Sequence, residues 1–204
     1  MSSTPKIIST TELSSEDAKW ITLQRIRYSD AEGKERSWEY AERKTRKSSG
    51  VDAACVMALI RSKTNAFPLS TVIIEQFRPP IGKYIIGLID EGEAPEAAAV
   101  RELEEETGFK ASSIHESSDV VVSDPGMTNA NMKLIIANVE LEDRMDLPQQ
   151  KLDAGEFIVP RVVELAKLHD ELRDYARKGF VVDARLSHLA IGFNLAQSVR
   201  QSSH

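Results

Sequence analysis

The chain has 204 residues, of which 41% are apolar and 28% charged, and its net charge is −6 at neutral pH. These values are typical of a globular protein with one large core, or one domain with an added unit. The negative charge argues against a surface that coats nucleic acid, although a bound cation can reverse the local field for an anionic small molecule. No apolar run approaches the ~20 residues of a membrane-spanning helix. The sequence thus predicts neither a nucleic-acid partner nor a membrane partner.

Residues 1–11 are rich in Ser and Thr and have no apolar segment like that of a signal peptide. We expect residues 1–17 to be loosely attached. The one cysteine, Cys55, cannot form an intramolecular disulfide and lies in an apolar run, so we interpret it as a small buried residue. These features predict a reducing compartment, the cytoplasm, with the nucleus as a second option.

Two extended segments with a turn between them follow. Residues 20–29 alternate between apolar and polar side chains, and residues 36–46 resume an extended pattern after a cluster of turn formers. The pattern predicts a β-hairpin. Because an isolated hairpin is marginal in water, it must pack on the main domain or on a second copy of the chain. A boundary near residues 48–50 divides an N-terminal β unit, residues 1–48, from a main domain, residues 49–204.

The main domain alternates strand-like and helical patterns. Strand-like apolar runs occur at residues 53–61, 71–77, 120–122, 133–139 and 157–163. Helical patterns occur at residues 95–107, 164–178 and 183–198. Pro79 and Pro80 predict a loop because proline cannot donate to a sheet, while Pro95 and Gly108 mark the start and stop of the first helix. This order predicts an α/β fold, an α/β/α layered domain with a mixed sheet.

The first predicted helix carries a cluster of acidic residues. Glu102, Glu105 and Glu106 stand at i, i+3 and i+4, so their side chains share one face. Carboxylates this close repel one another, which a divalent cation among them would relieve, and oxygen ligands suit hard ions such as Mg²⁺. Considered alone, these residues are also compatible with an acidic, solvated helix face.

The glutamates belong to a longer pattern, G-x5-E-x7-R-E-U-x-E-E-x-G-U, in which U is apolar. Its fixed positions are all filled, by Gly87, Glu93, Arg101, Glu102, Leu103, Glu105, Glu106, Gly108 and Phe109. This is the Nudix box, and the chain resembles the Nudix hydrolases, which cleave a nucleoside diphosphate linked to another moiety. The resemblance implies an α/β/α fold with Glu102 and Glu106 as metal ligands. It also implies that Glu105 supports them or binds a further ion, and that Arg101 orients a glutamate.

Motifs outside the box narrow the resemblance to the ADP-ribose pyrophosphatase branch, and most closely to the eukaryotic ADP-sugar pyrophosphatases. They are Lys19-Trp20, Gly33-Lys34, Ser37-Trp38-Glu39, Gln76-Phe77-Arg78-Pro79-Pro80, Gly87-Leu88-Ile89-Asp90, Asp124-Pro125-Gly126-Met127-Thr128-Asn129, Gly155-Glu156-Phe157 and Val182-Asp183-Ala184-Arg185. The resemblance implies hydrolysis of ADP-ribose to AMP and ribose 5-phosphate with Mg²⁺, for which Mn²⁺ is a candidate substitute. It also implies a homodimer that exchanges the N-terminal β unit.

The same resemblance implies that the hairpin helps bind the substrate. Trp20 and Trp38 match two tryptophans that sandwich the adenine, a contact worth ~1–3 kcal/mol per base. Glu39 and Arg43 match residues that bond the base and ribose, and Arg78 matches a diphosphate contact. The spacing alone favours a cross-strand tryptophan pair that stabilises the hairpin, and Arg78 is alternatively a surface arginine.

The resemblance also implies a role for a loop glutamate and reveals a gap. Glu156 matches a proposed general base or positioner of the attacking water, its alternative being a plain turn residue. Relatives normally read Glu-Phe-Pro-Ala before the box glycine, whereas here Ile86 directly precedes Gly87. In the family the carbonyl of that alanine ligates a metal, so we expect the carbonyl of Ile86 to substitute if the loop reaches.

Several functions therefore remain open beside the leading one, ADP-ribose hydrolysis. One is hydrolysis of another nucleoside diphosphate derivative or an oxidised nucleotide. Another, supported by the four missing residues, is a catalytically impaired module that binds ADP-ribose. A purely structural dimer would leave the carboxylate cluster unexplained. The four histidines lack ligand spacing and are predicted to be non-catalytic: His115, His169, His188 and His204.

Overall fold

The structure is a computed structural model that describes residues 5–46, 50–91 and 95–202. The described strands are β1 (Ile21–Ser29), β2 (Glu35–Arg43), β3 (Ala53–Ser62), β4 (Ser70–Arg78), β5 (Lys83–Gly87), β6 (Ile89–Glu91), β7 (Ser113–Ser117), β8 (Val121–Val122), β9 (Asn131–Leu141), β10 (Ile158–Glu164) and β11 (Val181–Val182). The described helices are α1 (Pro95–Thr107), α2 (Leu168–Arg177) and α3 (Ala184–Ser202), with short 3-10 turns at Pro79–Ile81 and Leu165–Lys167.

The predicted hairpin, the five strand-like runs and the three helices are all present. One boundary is wrong: the second helix was predicted from residue 164, but β10 continues to Glu164 and a 3-10 turn precedes α2 at Leu168. The turn is short and its Leu165 is buried, so its apolar spacing mimics a helix start. The segment after β4, predicted as a loop, contains the other 3-10 turn.

Strands β3 to β11 form one mixed sheet of nine strands in the described residues. The main path runs β11-β5-β4-β3-β9-β7, while β10 pairs with β4, β6 with β3 and β8 with β9. β3 is parallel to β9 and β11 to β5, whereas the other pairs are antiparallel. The predicted mixed sheet is thus confirmed.

The sheet splits between β3 and β4. These strands pair at Ile60 and Ser70. Beyond that point β5 pairs with β4 and β6 pairs with β3. Leu88 alone separates β5 from β6, so the chain crosses the split in one residue, directly after Gly87. The box therefore begins inside the sheet, at the point where its two parts diverge.

Two apolar cores lie on opposite faces of the sheet, because β3 is a central strand buried on both sides. Its even-numbered residues, such as Val56, pack with Leu103 of α1 and with Phe109. Its odd-numbered residues, such as Met57, pack with the helices α2 and α3, including Leu186. Helices on both faces of a mixed sheet give the predicted α/β/α layers, which are confirmed.

The hairpin β1–β2 forms a separate two-stranded sheet that contacts the main body through β2. The Ala41 N–H donates to the Met127 carbonyl at 2.8 Å, and the Thr128 hydroxyl donates to the Ala41 carbonyl at 2.8 Å. The hairpin therefore packs on the main domain, one of the two options predicted. Residues 48 and 49, at the predicted boundary, lie outside the described residues, and the division into two domains remains a prediction.

Residues 5–16 are exposed and contain no helix or strand. Within the described ranges, no helix combines the length and apolar character needed to cross a membrane.

Candidate active site on the Nudix-type helix

The sequence around α1 gives the helix a defined end. Gly108 has a φ of 78°, and its N–H donates to the Glu104 carbonyl at 2.8 Å. A Cβ at Gly108 would lie 2.7 Å from the Cβ of Pro148, so the position needs both positive φ and close approach. The segment that contains Pro148 packs against the end of α1, and the Lys151 N–H in that segment donates to the Glu105 carbonyl at 2.8 Å.

The carboxylates of α1 divide into two environments. Glu102 and Glu106 are each only 5% exposed, whereas the Glu105 side chain is 36% exposed. The Arg101 guanidinium donates to the Glu105 carboxylate at 2.6 Å and also forms an ion pair with Glu102. Glu102 and Glu106 therefore do not belong to a solvated helix face, and the interpretation of the cluster as such a face is wrong for these two residues.

This arrangement fits a divalent cation. Burying a carboxylate is costly unless it is paired or coordinates a metal, and here two glutamates of one helix are each 5% exposed. Glu102 and Glu106 are separated by one helical turn and offer the oxygen donors that Mg²⁺ prefers. In the described part of the chain, no three acidic, histidine or cysteine side chains converge as a preformed metal cluster. Glu93 lies outside the described residues.

The carbonyl of Ile86, the expected substitute ligand, is already used within the fold. It accepts a hydrogen bond from the Asp183 N–H at 2.9 Å, which ties β5 to the start of α3. The Ile86 side chain is fully buried in the core under α2 and α3. A carbonyl has a second lone pair, so this bond alone leaves its role as a ligand a prediction.

The start of α3 packs directly against the first box glycine. A Cβ at Gly87 would lie 3.4 Å from the Cβ of Asp183. The Asp183 carboxylate accepts from the Arg185 N–H at 2.9 Å and pairs with the Arg185 guanidinium at 2.7 Å. Burial opposes the charged form of Asp183, but the bonds from Arg185 outweigh it and lower the pKa. An aspartate before a helical pattern is the sequence signal for this cap.

A cavity of about 640 Å³ lies on the side of the sheet that faces α3. This volume is within the range of small-molecule sites. Its lining residues are Arg43, Cys55, Leu88, Ser118, Val121, Val122, Ser123, Ala130, Met132, Leu134, Asp183, Ala184, Arg185, His188 and Leu189. The lining includes Arg43, which was predicted to bind substrate, and omits the α1 carboxylates. Arg185 and His188 were not predicted as site residues, because the sequence offered no ligand spacing for them.

The two tryptophans are far apart on the hairpin. The Trp38 indole N–H donates to the Gly126 carbonyl at 2.9 Å, and the residue opposite Trp38 in β1 is Ile26. Trp20 is bonded through its carbonyl to the Lys44 N–H, six positions from Ile26 and about 20 Å along the ladder. The interpretation of Trp20 and Trp38 as a cross-strand pair is therefore wrong. One hairpin cannot supply both faces of an adenine sandwich, so that role would need a second protomer.

The remaining candidates lie at three separate places. Glu39 is in an exposed ion pair with Arg25 at 2.6 Å, and such pairs contribute little to stability. Arg78 is half-buried at the end of β4. The Glu156 carboxylate accepts from the Asp153 N–H at 3.0 Å, while the Glu156 N–H donates to the Asp153 carbonyl at 3.1 Å. In this structure Glu156 stabilises its own turn, and its catalytic role remains a prediction.

Comparisons with known proteins agree with the box. Residues 51–182 match the family model of the NUDIX domain. The chain is 42% identical over 195 residues to an uncharacterized Nudix hydrolase of Schizosaccharomyces pombe, covering 93% of each protein. It is 40% identical to the ADP-ribose pyrophosphatase of Saccharomyces cerevisiae, over 89% of this chain and 80% of that protein. It is 36% identical to the ADP-sugar pyrophosphatase of Mus musculus, over 79% of this chain and 73% of that protein.

A solved structure described as an ADP compounds hydrolase matches with a TM-score of 0.60 and 18% identity, covering 91% of this chain and 89% of that one. At this identity the match supports the fold alone. The three-layer architecture and the acidic helix define a protein of the Nudix class. The family match spans most of the main domain, and this chain belongs to the NUDIX domain family.

Proposed function

We propose that this protein hydrolyses the diphosphate of ADP-ribose and related ADP-sugars, and that ADP-ribose plus water gives AMP plus ribose 5-phosphate. One observation carries the proposal: a complete Nudix box whose Glu102 and Glu106 are buried one turn apart on α1. The nature of the substrate is supported by the 40% identity to a protein named ADP-ribose pyrophosphatase.

Glu102 and Glu106 would hold a divalent cation, with Glu105 as support and Mg²⁺ or Mn²⁺ as the candidate ions. When bound, such an ion neutralises diphosphate charge and lowers the pKa of a water. Arg101 keeps Glu102 and Glu105 in place through its two ion pairs. Ile86 is the proposed source of an additional carbonyl oxygen.

Arg78 would contact the diphosphate from the end of β4, next to the stiff Pro79–Pro80 segment. Glu156 is the proposed general base or positioner of the attacking water. Because its carboxylate bonds the Asp153 N–H, this role requires that the turn open or that a second carboxylate oxygen serve. Either way, the carboxylate must come within hydrogen-bond reach of the water.

The adenosine part would bind at the hairpin, with Trp20 of one protomer and Trp38 of another stacking on the adenine. Glu39 and Arg43 are the proposed polar partners, and Arg43 already lines the cavity. A homodimer is supported by apolar side chains that are exposed on the two faces of the hairpin and beside it, and that a second copy would cover. They are Trp20, Ile21, Leu23, Ile26, Tyr28, Trp38 and Met127.

The test is a substrate comparison with product analysis. ADP-ribose, ADP-glucose, UDP-glucose and an oxidised nucleoside triphosphate are incubated with Mg²⁺, with Mn²⁺ or with a chelator, and products are separated by chromatography. We expect equal amounts of AMP and ribose 5-phosphate from ADP-ribose, none with chelator, and slower cleavage of UDP-glucose. Faster cleavage of a substrate without adenine would contradict the proposed preference.

A second candidate is an impaired module that binds ADP-ribose. It is favoured by the missing four residues and by the Ile86 carbonyl, which is bonded to Asp183. Thermal protection by ADP-ribose without any AMP formation would support this module and reject the hydrolase.

A cytoplasmic location is part of the proposal. It is supported by Cys55, a buried residue that forms no disulfide in the described structure, which suits a reducing compartment. Imaging of the tagged protein in its own cells tests it, and a secreted or membrane-bound signal would contradict it.

A further inference from the structure

A buried ion pair joins the end of the hairpin to the start of the central strand. The Arg46 Nε donates to one Asp52 carboxylate oxygen at 2.9 Å, and Nη2 donates to the other at 2.6 Å. Asp52 is 5% exposed, directly before β3. Burial opposes its charged form, but the bonds from Arg46 and the Asn131 N–H outweigh it and lower the pKa of Asp52. The pair is charged over the whole physiological pH range.

The same guanidinium also holds the loop that precedes β9. Arg46 Nη2 donates to the Asn129 carbonyl at 2.7 Å, and the Asn129 side-chain amide donates to Glu42 at 2.9 Å. Asp52 and Asn131 exchange two hydrogen bonds, from the Asp52 N–H at 2.9 Å and from the Asn131 N–H at 3.0 Å. One arginine therefore connects three segments: the hairpin end, the start of β3 and the loop.

The loop, residues 124–129, is also the surface on which the hairpin rests. The Gly126 carbonyl accepts a hydrogen bond from the Trp38 indole N–H. The Met127 carbonyl accepts from the Ala41 N–H, and the Thr128 hydroxyl donates to the Ala41 carbonyl.

Two other ion pairs, Arg25 with Glu39 and Arg27 with Glu35, join β1 to β2 and are about three-quarters exposed. The pairs of Lys34 and Arg36 stay within the turn region of the hairpin. In contrast to these pairs, Arg46 at the end of the hairpin forms its ion pair with Asp52, a buried carboxylate of the main domain.

We propose that Arg46 and Asp52 are positioning residues that hold Trp38 and Arg43 at the geometry needed to bind the adenosine part of the substrate. The inference rests on the proposed function, because it assigns base and ribose recognition to those two residues. Arg43 ends β2 three residues before Arg46, and Trp38 bonds the loop that Arg46 holds. Without the bonds of Arg46, the end of β2 and the loop are held less firmly, so binding of the adenosine part weakens. The carboxylates of α1 take no part in these bonds of Arg46, so the chemical step is preserved.

The test compares Arg46→Met, which keeps the length and loses the guanidinium, with Arg27→Met as the matched control in the same hairpin. Assays run well below each variant's unfolding temperature, so that folded fractions are equal. We expect Arg46→Met to raise the KM for ADP-ribose about tenfold with kcat within about threefold, whereas Arg27→Met leaves both unchanged. If the substitution only reduced the fraction of folded protein, the apparent kcat would fall and KM would stay unchanged.

A second readout does not depend on catalysis. The chain has two tryptophans, both at the hairpin. Intrinsic fluorescence titrated with AMP therefore reports on this unit alone. We expect AMP to bind about tenfold more weakly to Arg46→Met than to Arg27→Met, and acrylamide to quench the free Arg46→Met more strongly.

If Arg46→Met does not fold, Thr128→Val replaces it, because it removes the 2.8 Å bond to Ala41 and the 3.1 Å bond from the Ala130 N–H without touching the buried pair. We expect the same direction with a smaller change, about threefold in KM. Unchanged KM and AMP affinity in the folded variants would overturn the positioning role. If the wild type did not cleave ADP-ribose but bound AMP about tenfold more tightly than Arg46→Met, the proposed function would be refuted. The positioning role of Arg46 and Asp52 would still be supported.

Discussion

Glu102 and Glu106 are buried on α1, while Glu105 is turned towards Arg101 nearer the surface. Helical periodicity places all three on one side of the helix, but burial differs because the sheet covers only part of that side. The buried pair is where a cation adds most stability, since carboxylates there have lost most of their water. The partly exposed Glu105 keeps its ion pair with Arg101, and its proposed part in holding an ion is a supporting one.

Gly108 makes a residue-scale prediction about stability. Gly108→Ala forces an alanine into φ of 78° and places its Cβ 2.7 Å from Pro148. We expect a loss of more than about 2 kcal/mol, because the left-handed conformation costs about 1 kcal/mol and the clash adds to it. Urea unfolding measures the loss.

The matched control is Gly179→Ala, since Gly179 also has positive φ, 92°, but open space around it. The control should lose only the conformational part, about 1 kcal/mol. Equal losses in the two variants would show that the contact with Pro148 is relaxed at no cost.

At the scale of elements, the hydrogen bonds of Glu75 join β4, β10 and α2. Its carboxylate accepts from Arg161 Nε at 2.7 Å and from the Tyr175 hydroxyl at 2.9 Å. Burial and the bond to Glu75 raise the pKa of Tyr175 from 10.0 to about 12. The folded state therefore holds the phenolic proton more tightly than the unfolded state does.

This shift gives a pH-dependent stability with a definite sign. The contribution of Tyr175 is complete below about pH 10 and is lost as the pH rises towards about 12, because only the folded chain then keeps the proton. We expect the free energy of unfolding to fall more steeply in the wild type than in Tyr175→Phe between about pH 10 and about pH 11.5. Parallel curves for the two proteins would contradict the shift.

The connection between β5 and β6 makes another element-scale prediction. Inserting Glu-Phe-Pro-Ala between Ile86 and Gly87 adds about 13 Å of extended chain at the split in the sheet. If the present connection leaves the site one oxygen short, the insertion should raise kcat with Mg²⁺ at least about tenfold, since the bound ion supplies several kcal/mol of transition-state stabilisation and a missing ligand weakens its hold. A Gly-Ser-Gly-Ser insertion controls for length alone.

An unchanged kcat after the insertion would mean that the native connection already completes the site, with the Ile86 carbonyl as the prime candidate.

The elements were predictable to different degrees, for physical reasons. β3 has a long apolar run and was predicted within one residue of its observed ends. The ends of α1 were predicted correctly because Pro95 and Gly108 mark its start and stop. β7 was missed because all its residues are exposed and carry no apolar alternation. β11 has two residues and is a strand only because β5 lies beside it. The third helix was predicted from residue 183, whereas Asp183 precedes α3 and accepts a hydrogen bond from its first turn. The contact of Asp183 with Gly87 depends on tertiary packing.

At the scale of the whole molecule, the exposed apolar surface of the hairpin is the main feature that a single chain leaves uncovered. Leu23 is 73% exposed and Trp20 71%. The motif predicted that both tryptophans matter, but their separation along the ladder follows only from the strand register. The proposed second protomer would be needed to bring two such tryptophans to one base.

The dimer makes a testable whole-molecule prediction. Leu23→Glu places a charge in the exposed apolar surface and should shift a concentration-dependent dimer to monomer in sedimentation equilibrium. The KM for ADP-ribose should rise in parallel, because the adenine loses one stacking face. Glu16→Gln, an exposed change outside the hairpin, serves as the control. A wild type that is monomeric at all concentrations, with unchanged KM in Leu23→Glu, would contradict the shared site.

The most direct test of the account is metal-dependent AMP release from ADP-ribose by the wild type, Glu102→Gln and Glu106→Gln, with Glu104→Gln as the control. Glu104 is on the same helix and bonds Lys151 instead. We predict that each of the first two substitutions lowers kcat/KM at least about 100-fold and weakens Mg²⁺ activation, while the control stays near wild type. Wild-type rates and Mg²⁺ dependence in Glu102→Gln and Glu106→Gln would contradict the role of the buried carboxylates.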